Sequence, residues 1–174
     1  MIMFNLLITT VMVTFLGNPV SLSSSPKEGE QAREFTLVKN DLSEVSLSDY
    51  KGKKVVLNIF PSIDTPVCAN SVRRFNQEAA SFEDVVVLCV SKDLPFAQAR
   101  FCGAEGIESV SVLSGYRDLE FGLNYGVSLL DGPLKGLYCR AVYVIDENGS
   151  IVYKEIVPEI TDEPNYAAAL GAIK

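Results

Sequence analysis

Two unbroken apolar runs constrain this chain more than any other feature: Lys54 to Phe60 (KVVLNIF) and Val85 to Val90 (VVVLCV). Neither alternates. A strand wetted on one face reads apolar–polar, so a continuous apolar run suits a strand covered on both faces, as in the middle of a parallel sheet. Pro61 ends the first run. Parallel neighbours need a crossover, and the intervening stretch supplies a helix pattern. Asp64 or Thr65 can cap it, Pro66 suits its first turn, and Val67, Val72, Phe75 and Ala79 recur at roughly helical spacing.

The rest of the chain extends this plan. Phe35 to Val38 reads as a short strand, and Val45 to Leu47 alternates ahead of a turn at Asp49 to Gly52. Pro95 to Phe101 predicts a helix stopped near Gly103; Val110 to Leu113 predicts a third buried strand, and Leu119 to Tyr125 a further helix. Arg140 to Ile145 and Ser150 to Val157 alternate around Asp146-Glu147-Asn148-Gly149, an antiparallel hairpin. Pro164 to Ile173 predicts a closing helix. The order implies an α/β fold with a central mixed sheet flanked by helices on both faces. The thioredoxin-like architecture has this order. Residues 12–174 read as a single domain, without repeats or low-complexity tracts.

Ahead of it, Met1 to Leu16 is apolar and holds no Lys or Arg; the first basic residue is Lys27. It is short for a membrane span, which needs about 20 apolar residues, and its basic n-region is missing for a signal peptide. Val13-Thr14-Phe15 alternates into Gly17-Asn18-Pro19, and Val20-Ser21-Leu22 alternates again, so an N-terminal β-hairpin is expected. Residues 1–11 stay open between an upstream misreading before a start at Met12, an uncleaved extension and a weak signal.

The chain has no His. That excludes Cys-His and Ser-His nucleophile activation and every His-containing metal site. A net charge of −7 with scattered basic residues argues against a nucleic-acid partner. The four cysteines, Cys68, Cys89, Cys102 and Cys139, form no close pair. Zinc sites and thioredoxin-type redox turns need such pairs, and Cys68 is followed instead by Ala69-Asn70-Ser71. The cysteines are therefore inert buried thiols or reactive single ones.

Cys68 is the candidate for reactivity. It falls in the first turn of the helix that follows Pro61. The first N–H groups of a helix have no intrahelical partner and the helix dipole is positive at that end, so a thiolate there is stabilised. Only the thiolate is a competent nucleophile. Thr65 lies three residues before Cys68, close enough for its hydroxyl to orient a substrate oxygen or donate to the sulfur. Pro61 offers no N–H and can shield the site. Cys89, inside the second apolar run, reads as an inert core thiol.

Pro61, Thr65 and Cys68 together form Pro-x-x-x-Thr-x-x-Cys, the pattern of peroxiredoxins. NIFPSIDTPVCANSVRRFNQ, LCVSKDLPFAQARFCGAEG, DGPLKG and AVYVIDENG all resemble the bacterial thiol peroxidase subfamily, from about Val13 to the C-terminus. The resemblance implies a thioredoxin-like fold and an atypical 2-Cys arrangement. Cys68 matches the peroxidatic cysteine, Pro61 and Thr65 its partners, Cys102 the resolving cysteine, and Arg140 the active-site arginine. Cys139 lies outside the pattern and is treated as structural. The implied activity is reduction of hydrogen peroxide and alkyl hydroperoxides through a Cys68 sulfenic acid, resolved as an intramolecular Cys68–Cys102 disulfide and recycled by thioredoxin. No cofactor or metal is implied, and a homodimer without stable membrane association is. The need for a dithiol donor argues for a cytoplasmic setting, with a periplasmic or exported one as the alternative if residues 1–11 are a signal. A disulfide needs Cα atoms within about 7 Å. Cys68 and Cys102 lie on different predicted helices, so helix ends are expected to unwind to join them, helped by Gly103 and Gly106.

Overall fold

The protein is described by a computed structural model over residues 12–173. The expected extension at residues 1–11 lies outside the described residues. In chain order, β1 (Met12–Phe15) and β2 (Asn18–Ser21) pair as the expected antiparallel hairpin. β3 (Thr36–Val38) and β4 (Glu44–Ser46) follow, then a 3-10 turn at Leu47–Tyr50. The core of the chain runs β5 (Lys54–Ile59), α1 (Pro66–Ala79), β6 (Val85–Ser91), α2 (Pro95–Glu105) and β7 (Ser111–Ser114). A short α3 (Phe121–Asn124), the hairpin β8 (Ala141–Ile145) and β9 (Ile151–Ile156), and α4 (Tyr166–Gly171) complete it.

Seven strands form one mixed sheet in the order β4-β3-β7-β6-β5-β8-β9. β5, β6 and β7 are parallel, and β8 closes antiparallel on β5. The two apolar runs are continuous because both faces are covered. Val55, Leu57 and Ile59 join one cluster with Leu88, Val90 and Tyr143, beneath the N-terminal hairpin and α3. Val56 and Phe60 join the other with Val87, Val112 and Val142, beneath α1, α2 and α4. Full burial of an aliphatic side chain contributes about 1.5–3 kcal/mol. One residue of the first run contributes nothing of that kind: Asn58, fully buried among these aliphatics.

Two expectations are corrected. α2 does not stop near Gly103 but runs on to Glu105, with Gly106 at φ +65 as its C-cap. Cys102 therefore sits within the last turn, where its carbonyl accepts from Gly106 and Ile107. α3 is one short turn, shorter than the expected helix from Leu119 to Tyr125, and it packs Phe121 against Tyr125 with ring centroids 4.9 Å apart.

Candidate active site

The site forms where β5 ends. Phe60 still donates to the Val90 carbonyl at 3.1 Å, but Pro61 has no N–H to continue the ladder. The chain then crosses a loop to Thr65, the N-cap position, and Pro66 opens α1. Asp93, just past β6, fixes that loop: its carboxylate accepts from Ser62 Oγ at 2.8 Å, Ile63 N at 2.7 Å and Ser91 Oγ at 2.6 Å. The first intrahelical bond of α1 runs from Ala69 N to Thr65 O. The N–H of Cys68 thus has no carbonyl within the helix, and it faces the positive end of the dipole.

Cys68 is fully buried and a free thiol. Its neighbour comes from the far side of the sequence. Arg140, 2 % exposed, stands immediately before β8. Its Nε donates to the Ile160 carbonyl at 3.0 Å, and its Nη2 donates to Cys68 Sγ at 3.4 Å. The donor is a guanidinium, so the bond to the sulfur is charge-assisted. Arg140 Nη1 is buried without a partner. Both N–H bonds of Nη1 are therefore uncommitted.

Of the other expected residues, Pro61 is buried and Thr65 is exposed. The Thr65 hydroxyl neither caps α1 nor donates to the sulfur. It donates to the Ser62 carbonyl at 2.9 Å, which commits its hydrogen and leaves its lone pairs to accept from a protonated oxygen. A groove of about 660 Å³ opens beside it, lined by Ile63, Thr65, Val67, Arg73, Phe101 and Glu105. Arg73 crosses this groove to pair with Glu105 at 2.8 Å, tying α1 to α2.

Cys102 is also free, half-buried, and bonded to a different partner. Its Sγ accepts from Asn40 Nδ2 at 3.6 Å. Burial pushes this thiol up, and the Asn40 donor offsets only part of that rise. Cys89 and Cys139 are buried, and burial pushes both up to about 12, so they remain neutral thiols across the physiological range. Among the described residues no group of Cys, Asp or Glu is placed to hold a metal ion.

Three residues here have no counterpart in the sequence reading. Asp93 is a lone acid after an apolar run, and Asn40 sits in a loop with nothing to connect it to Cys102. Tyr166, on α4, lies edge-on to Phe75 at 5.4 Å with a buried, unpartnered hydroxyl.

A redoxin family model matches residues 27–170. The chain is 54% identical over 160 residues to a thiol peroxidase of Corynebacterium glutamicum, covering 91% of this chain and 96% of that one. It is 53% identical over 162 residues to a thiol peroxidase of Mycobacterium bovis, covering 92% and 97%. The crystal structure of a peroxiredoxin-like protein from Aquifex aeolicus superposes with a TM-score of 0.89 at 42% identity, over 93% of this chain and 95% of that one. The chain belongs to the thiol peroxidase family of redoxins.

This thiol peroxidase is accordingly a peroxidase of the oxidoreductase class. Its thioredoxin-like fold carries the N-terminal hairpin beside the sheet. Among the described residues no helix of the thiol peroxidase is long and apolar enough to cross a membrane.

Proposed function

We propose that this thiol peroxidase reduces hydrogen peroxide and alkyl hydroperoxides at Cys68, resolves the product with Cys102, and is recycled by thioredoxin. One observation carries the assignment of the nucleophile: Arg140 Nη2 donating to the Cys68 sulfur at 3.4 Å, with both side chains buried.

In the first step the Cys68 thiolate attacks one peroxide oxygen. An S–O bond forms and the O–O bond breaks. The departing oxygen takes the electron pair and a proton and leaves as water or an alcohol. The unpartnered Nη1 of Arg140 is fixed where it can stabilise that developing charge. Thr65, its own hydrogen committed to Ser62, can accept a hydrogen bond from the peroxide O–H and orient the attack. Cys68 is left as a sulfenic acid. In the second step Cys102 attacks the Cys68 sulfur, the S–S bond forms and water leaves. Both cysteines are free and each is held by a separate partner, and on this reading the ends of α1 and α2 open to join them. A thioredoxin-type dithiol then exchanges with the disulfide and restores both thiols. A homodimer and a reducing cytoplasm belong to the same reading.

The test is consumption of cumene hydroperoxide with thioredoxin, thioredoxin reductase and NADPH. Wild type turns over, Cys68→Ser does not, and Cys102→Ser loses thioredoxin-supported cycling. Turnover by Cys68→Ser would overturn the nucleophile assignment.

A further inference from the structure

Asn58 is fully buried inside an aliphatic strand, where a polar amide without partners costs about 1–3 kcal/mol. Its partners explain its place. Asn58 Nδ2 donates to Ser71 Oγ at 3.1 Å, and Ser71 Oγ donates to the Cys68 carbonyl at 2.8 Å. Ser71, likewise fully buried, has one hydrogen and spends it on Cys68. It must therefore accept from Asn58, which fixes the orientation of the amide. The second amide hydrogen points to Cys89 Sγ at 3.6 Å, the residue paired with Asn58 on β6. Cys89 thus serves as an acceptor for the amide.

From this chain of hydrogen bonds we infer that Asn58 and Ser71 form a latch on the first turn of α1, and that the latch sets how readily Cys68 leaves Arg140 to meet Cys102. The inference rests on the two-cysteine reading above. The carbonyl that Ser71 grips belongs to the reacting residue itself, and β5 is buried at every position after Lys54. While the latch is closed, Cys68 Sγ stays against Arg140 and is ready for peroxide. Opening the turn to form a disulfide must break the bond from Ser71 to Cys68 in addition to the helical one. Asn58 and Ser71 are positioning residues: Ser71 bonds the Cys68 carbonyl, Asn58 bonds Ser71, and neither touches a reacting atom. A tighter latch prolongs the sulfenic acid and exposes it to a second peroxide; a looser one favours the disulfide.

The test compares Ser71→Ala and Asn58→Ala, which cut the same chain at different links, with Val112→Ala, a buried β7 substitution beside Cys89 that lowers stability without removing any of these hydrogen bonds. Two readouts are taken: amide hydrogen exchange in residues 69–72 of the reduced protein, and the peroxide-independent phase of disulfide formation after one equivalent of hydrogen peroxide. Loss of one hydrogen bond is expected to speed both by roughly two- to tenfold in the two latch variants. It also lowers the fraction of Cys68 lost to sulfinic acid at high peroxide. Val112→Ala leaves both rates at the wild-type value. Unchanged rates in the latch variants, faster exchange without faster disulfide formation, or the same acceleration in Val112→Ala would each overturn the latch. A wild-type protein that forms the sulfenic acid but never the disulfide would instead refute the resolving role of Cys102. The exchange rates would then still decide whether the latch exists.

Discussion

Arg140 is held by Ile160 as firmly as it holds Cys68. Its Nε donates to the Ile160 carbonyl at 3.0 Å, and this second bond keeps the planar guanidinium turned so that Nη2 reaches the sulfur. Two bonds from one rigid fork define an orientation that a flexible point charge does not reproduce. Arg140→Met is expected to slow the second-order reaction with hydrogen peroxide by about 10²–10³-fold, the scale on which losing one fixed donor acts. Arg140→Lys recovers part of the charge but little of the geometry, and stays below wild type by more than about tenfold. Stopped-flow measurement of Cys68 oxidation checks both, with circular dichroism confirming the fold.

Thr65 separates orientation from acidity. Thr65→Val removes the bond to the Ser62 carbonyl and the lone pairs that face the groove. Reaction with peroxide is expected to fall about tenfold, and Thr65→Ser to retain most of it. Equal rates in Thr65→Val and Thr65→Ser would show that the hydroxyl does nothing in the reaction.

Cys89 and Cys139 set an alkaline limit on the fold. Burial raises both thiols to about 12, so the folded state keeps protons that the unfolded chain releases near the ordinary thiol value of about 9. Their contribution to stability is whole below about 9 and is lost as pH rises toward 12. Urea unfolding at pH 8 and pH 10.5 is expected to show a smaller loss for Cys89→Ala than for wild type. In the native state neither thiol reacts with a thiol reagent at pH 8, and both react once urea is added.

Glu159 behaves in the opposite sense. The N–H of Gly17 at 3.0 Å, with Thr161 and Thr14, holds its carboxylate down at about 2. Its hold on the N-terminal hairpin is complete above the ordinary carboxylate range and is lost as pH falls through about 2. Glu159→Gln is expected to speed hydrogen exchange at the Leu16 and Gly17 amides at pH 6, and wild type to approach that behaviour only in strong acid. Identical exchange in the two proteins at pH 6 would show that the carboxylate does not pin the hairpin.

Much of this plan was legible from periodicity. β5 and β6 announced themselves because burial on both faces leaves no polar alternation, and the hairpin of β8 and β9 because its turn residues stand between alternating strands. Helix ends were less legible. Gly103 was expected to stop α2, but a glycine within a helix costs only about 1 kcal/mol, whereas Gly106 terminates it by adopting a positive φ that other residues resist. Cys68 could be singled out from its place at a helix start, and Arg140 only through the resemblance to a known family. Asn58, Asp93 and Asn40 could not: each acts through a partner in another element, 13, 30 and 62 residues away, and no local pattern encodes such a pairing.

Cys68 and Arg140 are 72 positions apart, and their contact has a consequence for synthesis. A ribosome-bound chain that ends short of residue 140 already contains Cys68 but lacks the guanidinium that contacts its sulfur. The proposed site is therefore assembled only after β8 has been made and laid beside β5. On the proposed mechanism a partly made copy holds its thiol without the group that prepares it for peroxide.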